Sequence, residues 1–369
     1  MTAVTAEFDA LWDELAAIGR DASGTNRLPW TSAELEARAW FRREAERRAL
    51  AIDEDRNGNL WARWGEGGDE VATGSHLDSV VNGGAFDGAL GVVCAFAAVD
   101  ALRAEGFVPR RPIAVVAFNE EEGARFGRAC LGSKLATGQL DPGEARALRD
   151  ADGVTLGEYL PDPGPGPLPA AWVEVHIEQG RFLDVPLGVA SEIWPHGRFR
   201  FDFTGESNHA GTTPMNARSD AMLDFARATL AARDAAAEHG GLATFGRVQV
   251  EPNSTNSIAS LVRAWLDARG PDDATVEAIV AAVGGEPVRE SWTPAVAFDT
   301  RIASLLDAPL MSTAAGHDAA ILQMAGVPSS MIFVRNRSGV SHAPGEHADR
   351  TDCLAAVDAL ARVLKELAC

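Results

Sequence analysis

Between residues 70 and 118 the spacing of apolar residues changes twice. "EVATGSHLD" begins as a strand, and "GALGVVCAFAAVDALRAEG" reads as a helix closed by Gly106. "RRPIAVVAFN" is a continuous apolar run, the mark of a strand buried on both faces. Strand, helix, strand in that order predicts a doubly wound α/β sheet. The stretch "PDPGPGPLP", residues 161–169, is a loop, because alternating Pro and Gly can hold neither a ladder nor a helix. The strand "AAWVEVHIEQG" follows it.

From about residue 196 the pattern shifts to strict alternation. "RFRFDFTGES" is a strand with one wet face, and "SDAMLDFARATLAARDAAAEHG" is a helix. "ATFGRVQVEP" and "IASLVRAWLDAR" are two more strands; a short helix "DDATVEAIVAAVGG" and a strand "TPAVAFD" complete the segment. This is the split βαβ order, a ferredoxin-like α+β arrangement with helices on one face of an antiparallel sheet. Residues 196–299 are therefore expected to form an inserted domain, and residues 1–195 and 300–369 a first domain. The chain returns to that first domain with the helix "GHDAAILQMAG", the strand "VPSSMIFV" and the amphipathic helix "TDCLAAVDALARVLKELA". No internal repeat is present.

Composition narrows the function classes. A length of 369 residues suggests about two domains. Apolar content of 46% and charged content of 23% match a soluble globular protein. A net charge of -20 speaks against a nucleic-acid surface, which needs an excess of Lys and Arg on one face. The opening "MTAVTAEFDALWDELAAIG" is an acidic amphipathic helix without the basic and apolar regions of a secretory signal. No apolar run approaches the roughly 20 residues that span a bilayer. The expectation is a cytoplasmic protein with no membrane partner. Cys94, Cys130, Cys353 and Cys369 form no CxxC pair, so neither a disulfide framework nor a thiolate metal site is indicated, and Cys94 is placed in the core.

Four predicted strand ends carry candidate metal ligands. They are His76 and Asp87 in "GSHLDSVVNGGAFDGALGV", the triplet Glu120, Glu121 and Glu122 in "NEEEG", His176 in "VHIEQG" and His342 in "GVSHAPGE". Open α/β sheets gather ligands at the carboxyl ends of their strands. One histidine at a strand end is more often a core or surface residue, and three adjacent glutamates are usually a solvated face. Their joint occurrence at successive strand ends, each beside a small residue, makes chance the weaker account. Mixed imidazole and carboxylate ligands suit Zn, Mn, Co or Ni better than Mg or Ca.

These residues also carry a resemblance. "GSHLDSV", "GGAFDGALGV", "NEEEGARF", "HIEQG", "NHAGTTPM", "AGHDA" and "GVSHAPGE", in that order and across nearly the whole chain, resemble the M20-type metal-dependent amidohydrolases. Within that group the chain is most similar to the branch of N-carbamoyl-L-amino acid hydrolases and allantoate amidohydrolases. His176 stands where general aminoacylases and dipeptidases usually have a carboxylate. The resemblance implies a catalytic domain holding two divalent metal ions (Zn or Mn, with Co or Ni possible) and an inserted lid and dimerisation domain. It makes Asp87 the bridging carboxylate, with His76 and His176 on one ion and Glu122 and His342 on the other. Glu121 would be the general base, taking a proton from the attacking water and passing it to the leaving nitrogen. Asp78 would orient His76 through its second ring nitrogen, although its spacing suits a turn-forming Asp equally well.

In the inserted domain the resemblance gives His209 and Asn256 to the developing oxyanion and Arg269 to the substrate carboxylate, which a guanidinium fork matches. Some of these reach the site from the partner subunit of a homodimer. Gln179 would meet the ureido group, and Ser338 and Gly339 would line the same substrate site. Arg335 and Arg337 bring positive charge to the loop before His342, where many carbamoylases have a Gly-rich segment. That charge suits allantoate, a carboxylate with two ureido arms. The expected function is hydrolysis of allantoate's terminal ureido group to ureidoglycine, ammonia and carbon dioxide. N-carbamoyl-L-amino acid hydrolysis is the first alternative. A catalytically silent binding protein of the same fold is the second, and the presence of all five ligands and Glu121 speaks against it.

Overall fold

The structure is a computed structural model that describes residues 3–369. It divides into two compact units. One runs to Ser191 and resumes at Ala297–Met311 and Gly316–Cys369; the other is Glu192–Val296 with Ser312–Ala315.

The first unit is built on a nine-stranded mixed sheet. At its centre Ser329–Val334, Ala171–Ile177, Val71–His76 and Ile113–Phe118 lie side by side and parallel. Continuous apolar sequence at these strands follows from burial on both faces: every residue of all four is buried. Residues on one face, among them Val71, Val115, Val173 and Val175, join the main hydrophobic core. Helices Ser32–Arg47, Ala89–Ala104 and Arg350–Leu367 and part of Ala3–Ala17 contribute to that core, with Cys94 fully buried inside it as expected. Successive strand residues point to opposite faces, so Trp172, Glu174 and His176 face the other side, where His176 meets the ring of His317 at 4.4 Å.

The doubly wound sheet expected from the sequence is the centre of a wider one. Leu60–Trp64 and Ala51–Glu54 add an antiparallel pair on one side, and Leu187–Ile193 pairs antiparallel with Ser329–Val334 on the other. The first pair is short, and its outer strand is almost wholly exposed, so the sequence there shows little apolar periodicity.

The second unit is a four-stranded antiparallel sheet. Its spatial order is Leu242–Glu251, Leu261–Arg269, His196–Thr204, Val288–Thr293, and helices Ala221–His239 and Asp273–Val283 pack on one face. One expectation is corrected. The closing strand is "VRESWT", Val288–Thr293, which pairs with His196–Thr204; "TPAVAFD" supplies only the two-residue strand Val296–Ala297 of the larger sheet. The true edge strand is exposed over half its length, so tertiary pairing places polar residues where an apolar pattern would point elsewhere.

No helix among the described residues is long and apolar enough to cross a membrane.

Candidate metal centre

Two of the candidate ligands end parallel strands. His76 is the last residue of Val71–His76, and His176 the penultimate residue of Ala171–Ile177. His76 Nδ1 faces the backbone oxygen of Asp78 at 3.0 Å and His176 Nδ1 that of Ile177 at 2.8 Å. A proton on each Nδ1 bonds that carbonyl and leaves Nε2 as a lone-pair donor. Both Nε2 atoms are buried and without a hydrogen-bond partner among the described residues.

Asp87 sits just before helix Ala89–Ala104, where Gly88 has φ 65°. A Cβ at Gly88 would lie 2.5 Å from the His76 ring, so only glycine lets the loop close over that imidazole. The Asp87 carboxylate divides its oxygens. Oδ1 faces His76 Nε2 at 3.3 Å and His176 Nε2 at 3.1 Å, while Oδ2 faces His342 Nε2 at 3.2 Å. Glu122 Oε2 lies 3.4 Å from the same His342 nitrogen. Among the described residues three clusters could hold a cation; two of them, His76–Asp87–His176 and Asp87–Glu122–His342, share one carboxylate, and the third is Glu174–His176–His317. Gln179 Nε2 bridges Asp87 Oδ2 at 2.7 Å and His342 Nε2 at 3.2 Å.

The "NEEEG" triplet separates into three roles. Glu120 Oε1 accepts the backbone N–H groups of Arg125 and Phe126 at 3.1 and 2.7 Å and so caps its own loop. Glu121 is buried, with Oε2 3.7 Å from His76 Nε2 and Oε1 accepting the Cys130 thiol at 3.3 Å. Burial lifts the Cys130 thiol well above its usual pKa, so it donates to Glu121 rather than competing as a thiolate.

Asp78 is placed differently from the expectation. The His76 ring is fixed by the Asp78 backbone oxygen, with the nearest carboxylate oxygen farther off at 3.6 Å. The carboxylate instead accepts the N–H groups of Glu121 and Glu122, at 3.1 Å each. Backbone amides are strong donors to a buried carboxylate, and they win over the imidazole edge.

The electrostatics are those of a pocket short of positive charge. Burial raises Glu121 well above the ordinary carboxylate range, with Asp318 and Glu122 adding to the rise. Burial and the charge of Asp87 lift Glu122 to about 7. Burial acts in the opposite sense on His76, yet Glu121, Asp87 and Asp78 raise it well above the usual imidazole value. The hydrogen bond to Asp87 brings His342 to about 9. Burial alone would raise Asp87, but the three imidazoles hold it well below its usual value. Carboxylates crowded around Asp87 and imidazoles with buried lone pairs are what a divalent cation satisfies, and the residues present fit two.

One fixed cation lies beneath. Arg27 is fully buried, with Nε donating to Leu77 O at 2.7 Å and Nη1 to Ile18 O at 3.2 Å. Burial lowers it to about 10, while Asp78, Asp87 and Glu346 hold its charge. Nothing in "GTNRLP" marks Arg27 as part of a site; only the fold brings it there.

The remaining sequence candidates divide between the units. Ser338 Oγ and the Gly339 N–H both donate to Asn336 Oδ1, at 2.9 and 3.1 Å, so this loop is a turn built on Asn336. Arg335 pairs with Asp352 at 2.9 Å and Arg337 with Asp349 at 2.6 Å. Their charge is thereby balanced locally, against the expectation that they enrich the site. In the second unit, the Ala210 N–H donates to Asn256 O, and His209 bridges Ser257, which brings the His209 and Asn256 loops together. Arg269 closes the strand Leu261–Arg269 at the other end of the sheet. There it forks onto Asp267 at 2.7 and 3.1 Å and donates to Ala314 O at 2.7 Å. Leu261 pairs with Thr204, next to the His209 loop, whereas Arg269 pairs with His196. The nine-residue strand thus separates Arg269 from that loop by about 26 Å.

Comparison with known proteins places this geometry among relatives. Residues 72–366 match Peptidase family M20/M25/M40. The chain is 35% identical to an N-carbamoyl-L-amino acid amidohydrolase of Geobacillus stearothermophilus, over 98% of each chain. It is 33% identical to the allantoate amidohydrolase of Escherichia coli (strain K12), over 96% of each. It superposes on an amidase of the hydantoinase/carbamoylase family from Burkholderia vietnamiensis with a TM-score of 0.88 and 30% identity, covering 100% of this chain and 99% of that one.

Proposed function

The chain belongs to peptidase family M20/M25/M40, and from that premise we propose that it hydrolyses the terminal ureido group of a small carboxylate at a two-metal centre. It is a hydrolase acting on C–N bonds, as its amidohydrolase relatives are. One observation carries the reading: Asp87 turns one oxygen to His76 and His176 and the other to His342 beside Glu122.

Two divalent ions, Zn or Mn before Co or Ni, would polarise the substrate carbonyl and lower the pKa of the attacking water. The chain's own residues supply the rest. Glu121 accepts the water proton at Oε2, the oxygen that Cys130 leaves free, and delivers it to the departing nitrogen. The ureido carbon gains the water oxygen and loses its bond to nitrogen, and the carbamic acid left behind breaks down to carbon dioxide and ammonia. Gln179, whose Nε2 reaches Asp87 Oδ2 and His342 Nε2, would meet the ureido group. Arg269 exchanges its Asp267 partner for the substrate carboxylate.

The second unit serves as lid and dimerisation domain of a homodimer. His209 and Asn256 lie at one end of its sheet and Arg269 at the other, a separation that supports drawing them from two chains. A site that takes Arg269 from one chain and His209 with Asn256 from its partner resolves this separation.

Allantoate is the first substrate. The ion pairs of Arg335 and Arg337 favour the second reading, an N-carbamoyl-L-amino acid, because they remove the extra site charge that argued for allantoate. Rates on allantoate, N-carbamoyl amino acids, acylated amino acids and dipeptides, measured on chelated protein reloaded with Mn or Zn, test the proposal. Turnover of acylated amino acids or dipeptides with none on ureido compounds would overturn it.

A further inference from the structure

Glu346 has no part in the chemistry above, yet it is buried against the centre. It follows His342 by four residues on the same loop. Its Oε2 accepts two backbone N–H groups, those of Phe86 and Asp87, at 2.9 Å each. The approach is tight. A Cβ on Gly84 would lie 2.1 Å from this oxygen, so the loop before Asp87 is shaped around the Glu346 side chain. Oε1 is buried without a hydrogen-bond partner among the described residues. A second carboxylate beside Asp87 costs electrostatic energy, and the two amide bonds are what the fold gains in return.

We infer that Glu346 is a positioning residue: by accepting the Phe86 and Asp87 N–H groups it aims the two oxygens of Asp87 at two different metal positions and ties them to the loop that carries His342. The inference rests on the two-metal reading proposed above. Backbone held at Asp87 itself and at the residue before it leaves the short side chain little freedom, so Oδ1 and Oδ2 keep separate partners. Loss of this hold affects both metal positions, because Asp87 is the ligand they share. Loss of a ligand such as Glu122 affects one.

Acceptor geometry, rather than charge, is the essential property, and two substitutions separate them. Glu346→Gln keeps an acceptor oxygen at the same reach and removes the charge. Glu346→Asp keeps the charge and withdraws the oxygen by one methylene. Metal-free full-length protein is titrated with Co2+, reading ions bound by calorimetry and ligand geometry by visible absorption. The wild type and Glu346→Gln should bind two ions with closely similar spectra. Glu346→Asp and Glu346→Ala should weaken both ions by about 10- to 100-fold, the range for partners that orient metal ligands, with altered spectra. Should Glu346→Ala fail to fold, the Gln and Asp variants decide.

Two ions bound as tightly by Glu346→Asp as by the wild type would overturn the inference. So would Glu346→Gln losing ions while Glu346→Asp keeps them, which would make the charge facing Arg27 the operative property. A wild type that binds a single ion would instead refute the two-metal reading, and this inference with it.

Discussion

The carboxylate of Asp78 holds the backbone of Glu121: Oδ1 accepts the Glu121 N–H at 3.1 Å while Oδ2 accepts that of Glu122 at the same distance. One side chain therefore sets both the proposed base and a proposed ligand. Asp78→Asn replaces one acceptor with an amide group that faces a donor, and a buried donor left unpaired is costly. The variant should lose about 10- to 100-fold in metal affinity and at least as much in kcat. Unchanged values of both would mean that the loop holds its shape without Asp78.

Glu121→Gln should keep both ions and substrate affinity while kcat falls by at least about 100-fold, the usual scale of general-base removal. Ion content by mass spectrometry, measured beside kcat, checks it. Loss of an ion in parallel with turnover would make Glu121 a ligand.

Arg269→Ala should raise KM for carboxylate substrates by far more than for their amides, because only the carboxylate takes both arms of the guanidinium fork. Asp267→Asn, which frees Arg269 from its present partner, should leave KM equal or lower. Equal effects of Arg269→Ala on acids and amides would remove the carboxylate role.

The opposite placement of His209 and Arg269 on one sheet gives a complementation test. Inactive Glu121→Gln and His209→Ala chains, mixed and allowed to exchange, should form heterodimers with one working site each. Native mass spectrometry establishes exchange and steady-state rate establishes activity. Exchange without regained activity would place His209 in the site of its own chain.

Asp318 should make the stability of the metal-free protein decline from mildly acid to mildly alkaline pH. Burial and the charge of Glu174 raise it to about 8 in the folded chain, far above the carboxyl value of an unfolded one. Between those two values the folded chain holds a proton that the unfolded chain has released. Stability therefore falls as pH rises through that window, by at most about 1.4 kcal/mol per pH unit for this one group, and levels off above pH 8. Asp318→Asn keeps an acceptor for Ser133 and cannot ionise, so chemical denaturation from pH 5 to 8 should show a flatter decline. An identical slope would mean that Asp318 does not take up this proton.

What the sequence determined is local in kind. The spacing of apolar residues placed the central parallel strands and their helices, because a strand buried on both faces must be apolar throughout. The small residues around His76, Asp87, His176 and His342 marked candidate ligand positions at strand ends and in the loops that follow strands, and the motifs named a family. The sequence could not rank Glu120, Glu121 and Glu122, which share one residue type; a positive φ at Glu120 and the amides of Arg125 and Phe126 separate them. Nor could it show that Asp78 grips a loop 43 residues away, that Glu346 grips one 259 residues away, that Arg27 lies beneath the site or that Arg335 and Arg337 face Asp352 and Asp349. Those are choices of hydrogen-bond and charge partner between segments distant in the chain. A side chain's type limits which partners it can take, and only the folded backbone decides which one comes within reach.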